Sequence, residues 1–145
     1  MSKNSNQEQA VDLLVNIDVD DLSKAIDFYR KAVGLRVGRR FGALGVEMLG
    51  TTSAIYLLVK PEGTRPSTNA DELRRYRRHW TPVHLDFVVS ELEAAVSRAV
   101  EAGAAIEGAI QTHKWGRIAH MADPFGHGIC FIEFLGRGYD EIAHE

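Results

Sequence analysis

The sequence runs through one order of elements twice, and that repeat limits the folds open to it. The first pass opens with residues 11–18, apolar and β-branched enough for a strand. Asp20 and Asp21 then supply an N-cap for a helix over 22–33. Its apolar positions Leu22, Ala25, Ile26, Tyr29 and Val33 share one 3.6-residue stripe. Gly34 offers the stop, and short strands are expected over 36–41, 44–49 and 53–60. The second pass has a strand over 82–89 and a capping box at Ser90 and Glu93. That box opens a helix ending near residue 102, with Gly103 as its stop. Strands near 104–110, 117–122 and 128–135 complete it. An offset of 70 carries Leu22, Ala25 and Ile26 onto Leu92, Ala95 and Val96, and Leu14 onto His84. An offset of 74 carries Ala54, Tyr56 and Leu58 onto Gly128, Cys130 and Ile132. Two copies of one unit are expected to bury a shared face about a pseudo-twofold axis. Leu14, Tyr56, His84 and Cys130 should then meet in the middle.

The predicted class is α+β, with βαβββ modules over 11–60 and 82–135. A polar, disordered tail is expected over 1–10, a linker over 61–81 and a C-terminal tail over 136–145. Within the linker, residues 70–80 could form a short basic helix. Asp71 and Glu72 sit at its start and Arg74, Arg75, Arg77 and Arg78 toward its end, as the helix dipole favours. Those arginines could greet an anionic ligand or simply form a solvated face. A net charge of -3 argues against a phosphate-tracking nucleic-acid binder. No apolar run approaches the roughly 20 residues of a membrane span. The first ten residues lack the apolar core of a secretory signal. A single cysteine points to a reducing compartment, so a cytoplasmic location is expected.

The residues that bracket these elements resemble the vicinal oxygen chelate superfamily. Its members include glyoxalase I, extradiol dioxygenases, fosfomycin-resistance enzymes and bleomycin-binding proteins. The matching runs are Asp20-Asp21-Leu22 leading to Ile26-Asp27-Phe28-Tyr29 and Val33-Gly34-Leu35; Val83-His84-Leu85-Asp86 with Leu92, Ala95 and Ala102-Gly103-Ala104; and Asp123-Pro124-Phe125-Gly126-His127. The resemblance implies paired modules curling into a half-open barrel, commonly a homodimer, with the site inside the cup. It also implies that metal-using relatives draw ligands from the positions of Leu14, Tyr56, His84 and Cys130.

Only His84 is a conventional ligand among those four. Leu14 has no donor atom, Tyr56 ligates only when ionised, and Cys130 as thiolate suits a soft ion. No metal or other cofactor is therefore expected. A divalent ion at a shifted site using Asp86, His120 or Glu47 is the alternative. His84 and Asp86 share strand parity, so both point into the cup if either does. Together they are an oriented general base or ligand anchor, or else a satisfied polar pair in the core. Trp115 and Arg117 resemble the run before the last hairpin in the bleomycin-binding branch, where the ring would stack on a ligand and the guanidinium contact it. Parity separates Arg117 from His120 without saying which faces the cup. His127, in the turn, is expected to be exposed. The expected ligand-binding set is Tyr56, His84, Asp86, Trp115, Arg117, His120 and Cys130, with His84 the candidate catalytic residue. These residues support a metal-poor binder of a small organic molecule. The alternatives are a metal-dependent lyase or dioxygenase, or a metal-free enzyme with His84 as base.

Overall fold

A computed structural model describes residues 10–144. The tail expected over 1–10 lies, but for residue 10, outside the described residues. The first module comprises β1 (Val15–Val19), α1 (Leu22–Val33), β2 (Arg36–Arg40), β3 (Gly45–Leu49) and β4 (Ile55–Val59). The second comprises β5 (Leu85–Val88), α2 (Leu92–Ala102), β6 (Ala105–Ile106), β7 (Gln111–His113), β8 (Gly116–Ala122) and β9 (Gly128–Phe134). In the first sheet the order is β1-β4-β3-β2, and in the second β5-β9-β8-β6 with β7 also on β8. The opening and closing strands of each module, β1 with β4 and β5 with β9, run parallel. A parallel pair needs a long crossover, and here the helix and intervening strands supply it. Both sheets remain open at their edges, which is the half-open, α+β architecture the resemblance implied.

Asp21 caps α1 by accepting from the Lys24 amide at 3.0 Å, and Gly34 ends it in the left-handed region at φ 85°. Ala25, Phe28, Tyr29 and Ala32 form the buried face of α1; Leu92, Ala95, Val96 and Ala99 form that of α2. The helices pack against each other, the alanines allowing close approach, and one apolar core joins both modules.

Three local expectations are corrected. Ser90 is not the N-cap of α2: Glu91 holds that position without a side-chain bond, and Glu133 on β9 accepts from the Leu92 amide at 3.0 Å. A full carboxylate from the neighbouring strand replaces the local hydroxyl. The strand expected over 104–110 is reduced to β6, and an unexpected short strand, β7, follows it. No helix forms over 70–80. An isolated helix of about ten residues is marginal, and this backbone finds better partners elsewhere. Arg74 exchanges main-chain bonds with Gly63 and Thr64 (2.9 and 2.8 Å), and His79 with Gly126 and Gly128 (2.8 and 3.2 Å). The C-terminal segment adds a 3-10 turn, Gly138–Glu141.

A joint holds the modules together. Asp123, only 5% exposed, accepts from the Phe125 and His127 amides at 2.8 and 2.9 Å and from the Tyr29 hydroxyl of α1 at 2.6 Å. Burial, then the Asp123 charge and hydrogen bond, push the Tyr29 hydroxyl well above its usual range.

Candidate functional site

Asp86 and His120 both stand opposite Cys130 in the second sheet, on its two neighbouring strands. Alternation along β5, β8 and β9 sends Phe87, Ala119, Met121 and Phe131 toward the helices. His84, Asp86, His120 and Cys130 therefore share the other face. This gives the phase that parity alone left open: His120 lies on the site face, and Arg117 does not. Nδ1 of His84 is 3.2 Å from Asp86 Oδ1. The Trp80 ring meets both His84 and His120 edge-on, with centroids 6.0 and 5.9 Å away.

Cys130 is buried. Burial first, and Asp86 beside it second, push its thiol up to about 12, so it is protonated at neutral pH. It is a weak donor next to a carboxylate rather than a nucleophile.

The first sheet carries the matching arrangement. Glu47 stands opposite Tyr56, as His120 stands opposite Cys130. Arg39 donates to Glu47 through its amide (2.9 Å), Nε (3.1 Å) and Nη2 (3.0 Å), and through Nη2 to the Tyr56 hydroxyl at 3.0 Å. The Tyr56 hydroxyl in turn donates to Glu47 at 3.3 Å. Arg39 holds the Glu47 carboxyl at about 2, well below the usual 4.5. A depressed carboxyl contributes stability that is present above about pH 4.5 and lost as pH falls toward 2. Glu47→Gln is therefore expected to flatten that acid limb, checked by urea midpoints at pH 6 and pH 3. The effect stays small because the Arg39 side chain is mostly exposed and screened.

Between the modules lies a cleft of about 710 Å³ whose wall includes Leu14, Asn16, Tyr29, Thr81, His84 and His127. Of the four residues expected to converge, Leu14 and His84 line this cleft. Cys130 is buried beside Asp86, and Tyr56 is engaged by Arg39 and Glu47. Arg117 points to the helix side, where Glu93 and Glu133 hold it, the latter at 3.5 Å. Trp115 stacks on His113 (centroids 5.3 Å, planes 8° apart) and packs on Phe134 and Tyr139. His127, expected to be exposed, is half-buried: its Nε2 lies 2.7 Å from the Asp18 carbonyl and its Nδ1 faces His79 Nε2 at 3.3 Å. Trp80, His79 and Arg39 were missed. No periodic pattern surrounds Trp80 or His79 in the linker, and Arg39 reads as an ordinary strand charge.

The four positions at which the resemblance places metal ligands do not suit a conventional hard ion. Leu14 offers no donor, Tyr56 is committed to an arginine and a carboxylate, and Cys130 keeps its proton. One triplet does come together: donor atoms of His84, Asp86 and Cys130 lie within 4.8 Å of one another. Such a mixed set suits a soft or borderline ion able to displace the thiol proton.

The profile of the glyoxalase-like domain family matches residues 14–132. An uncharacterised protein of Mycobacterium tuberculosis is 29% identical over 141 residues, covering 85% of this chain and 79% of that protein. The anthracycline biosynthesis protein DnrV of Streptomyces peucetius is 30% identical over 132 residues, covering 89% of this chain and 43% of DnrV. Among solved structures, a glyoxalase-related enzyme from Fulvimarina pelagi superposes with TM-score 0.66 at 16% identity, covering 86% of this chain and 88% of that one. TioX from Micromonospora sp. ML1 does so with TM-score 0.65 at 20% identity, covering 87% and 100%. At those identities the structural likeness concerns the fold alone.

Proposed function

The chain belongs to the glyoxalase-like domain family, and on that premise we propose that it binds a small organic molecule in the cleft between its modules. The observation that carries this reading is the cleft itself, where His84, backed by Asp86, shares a wall with apolar Leu14 and the polar Asn16 and Thr81. Apolar surface with a few convergent polar groups is how such sites hold small ligands. Trp80, edge-on to His84, adds an aromatic surface. Sequestration of a toxic compound is one outcome, with no resident metal at the conventional positions. The protein acts in the cytoplasm and as a homodimer. Leu13, Leu14 and Val83 are exposed at the cleft and would be covered by a second copy. Sedimentation at micromolar concentration is expected to give a dimer; a clean monomer would count against that part.

Similarity to a protein named for anthracycline biosynthesis makes an anthracycline the first probe. Titration in the presence of EDTA is expected to quench tryptophan fluorescence saturably, with affinity at least about tenfold weaker in His84→Ala. Binding unchanged in that variant would remove His84 from the site. A probe that binds only without EDTA would transfer support to the second reading, a divalent-metal-dependent lyase or dioxygenase. That reading draws on the His84, Asp86 and Cys130 triplet. It expects one equivalent of Fe, Mn, Ni or Zn per chain, lost in His84→Ala. A third reading, metal-free proton transfer with His84 as base, draws on Asp86 at 3.2 Å from Nδ1.

A further inference from the structure

We propose that His79 and His127 form a two-imidazole site for a borderline divalent cation, Zn²⁺ foremost, where the linker meets both modules. The inference does not depend on what the cleft binds. It starts from the protons. Nδ1 of His79 lies 2.7 Å from the Arg77 carbonyl, and Nε2 of His127 lies 2.7 Å from the Asp18 carbonyl. A carbonyl oxygen only accepts, so both of those nitrogens carry hydrogen. In the neutral rings the remaining nitrogens, His79 Nε2 and His127 Nδ1, are therefore bare lone pairs. They lie 3.3 Å from each other. The ring centroids are 5.1 Å apart with planes at 88°, so both nitrogens lie between the ring centres.

Two lone pairs at that distance repel unless an acid sits between them. A proton can serve, through a long N–H···N bond at 3.3 Å, and so can a divalent cation. A tetrahedral zinc about 2.0–2.1 Å from each nitrogen would set them roughly 3.3 Å apart. The observed spacing is the bite of such an ion. The outer partners fit as well, because ligating histidines donate their other ring N–H to a carbonyl or carboxylate, which fixes tautomer and orientation. Here both second partners are main-chain carbonyls.

The scaffold holds this geometry before any ion arrives. His79 and His127 form a parallel bridge, with main-chain bonds from His79 to Gly126 and Gly128. The His127 amide is fixed by Asp123, and the Tyr76 ring packs edge-on at 6.2 Å. Of the nearby arginines, Arg74 is held by Asp18 and Arg78 by Glu107. Both histidines line the inter-module cleft, so the open coordination positions face solvent or a cleft ligand. Two protein ligands, where catalytic zinc sites have about three, make an exchangeable site.

The test uses the full chain carrying His84→Ala, which removes one donor from the separate His84, Asp86 and Cys130 triplet. Zinc alone is titrated and the imidazole nitrogens are followed by long-range ¹H–¹⁵N NMR. One equivalent is expected to shift His79 Nε2 and His127 Nδ1 together, while the protons on His79 Nδ1 and His127 Nε2 persist. Adding His79→Ala or His127→Gln should weaken zinc affinity at least about tenfold. His79→Ala retains the main-chain bridge, so a fold change in one variant does not obscure the other. Zinc that leaves both nitrogens unshifted, or binds His79→Ala as tightly, overturns the proposal.

Discussion

Replacing Asp123 with alanine is expected to cost about 3–5 kcal/mol of folding stability. The carboxylate is 5% exposed and serves three donors: two main-chain amides of its own turn and the Tyr29 hydroxyl of the other module. Removing it leaves those donors buried without a partner, each at about 1–3 kcal/mol. Asp123→Asn keeps an oxygen for the two amides and should lose roughly half as much. Tyr29→Phe removes one bond, at about 1 kcal/mol in the native background, and should cost less once Asp123 is alanine. Urea unfolding of the four proteins measures this cycle. If Asp123→Ala stays within about 1 kcal/mol of the parent, water has replaced the lost acceptor and the joint is not what binds the modules. The raised Tyr29 group adds an alkaline limb. Its contribution is present below about pH 10 and is lost as pH rises toward the folded value.

Gly126→Ala is the second large effect, expected at about 3 kcal/mol, or a melting-temperature drop of roughly 6–12 °C. Gly126 sits at φ 86°, where a side chain is strained, and a Cβ there would run into the Arg77 carbonyl and the Arg78 amide. The linker would have to leave the turn, taking the His79 bridge with it. Amide exchange should separate this from general destabilisation: His79 and Gly128 lose protection first, while Leu57 in the first sheet keeps most of its own. Equal loss at all three sites would mean the linker is not a local partner of the turn.

Much of the fold was legible because it is periodic. The stripe through Leu22, Ala25, Ile26 and Tyr29 placed α1 at Leu22–Val33, and the offset of 70 carried it onto α2. Cys130, Asp86 and His84 came together because alternation and parallel pairing allow little else. What stayed hidden depends on phase or on distance along the chain. Alternation puts Arg117 and His120 on opposite faces without choosing between them, and that choice came from Glu93 and Glu133. Tyr29 read as a core position, which it is, but its hydroxyl needs a partner 94 residues away. The linker has a composition that suits a helix and no apolar stripe to seat one. Its arginines and its histidine instead took up bonds from both modules: Arg74 with Asp18, Arg78 with Glu107, and His79 with the main chain of Gly126 and Gly128.

The spacing of the joint's bonds along the chain bears on the order of folding events. Each parallel pair closes a loop of about forty residues, Val15 to Ile55 and Leu85 to Ile129. The bonds from Tyr29 to Asp123 and from His127 to Asp18 span 94 and 109 residues. Their ends are brought near only once both sheets have formed, so the joint belongs to the late side of the folding barrier. Weakening it should leave refolding nearly unchanged and release its whole cost into unfolding. A loss of about 3 kcal/mol then becomes an unfolding rate on the order of a hundredfold faster. The seam between the modules thus governs how long a molecule stays folded more than how quickly it becomes so.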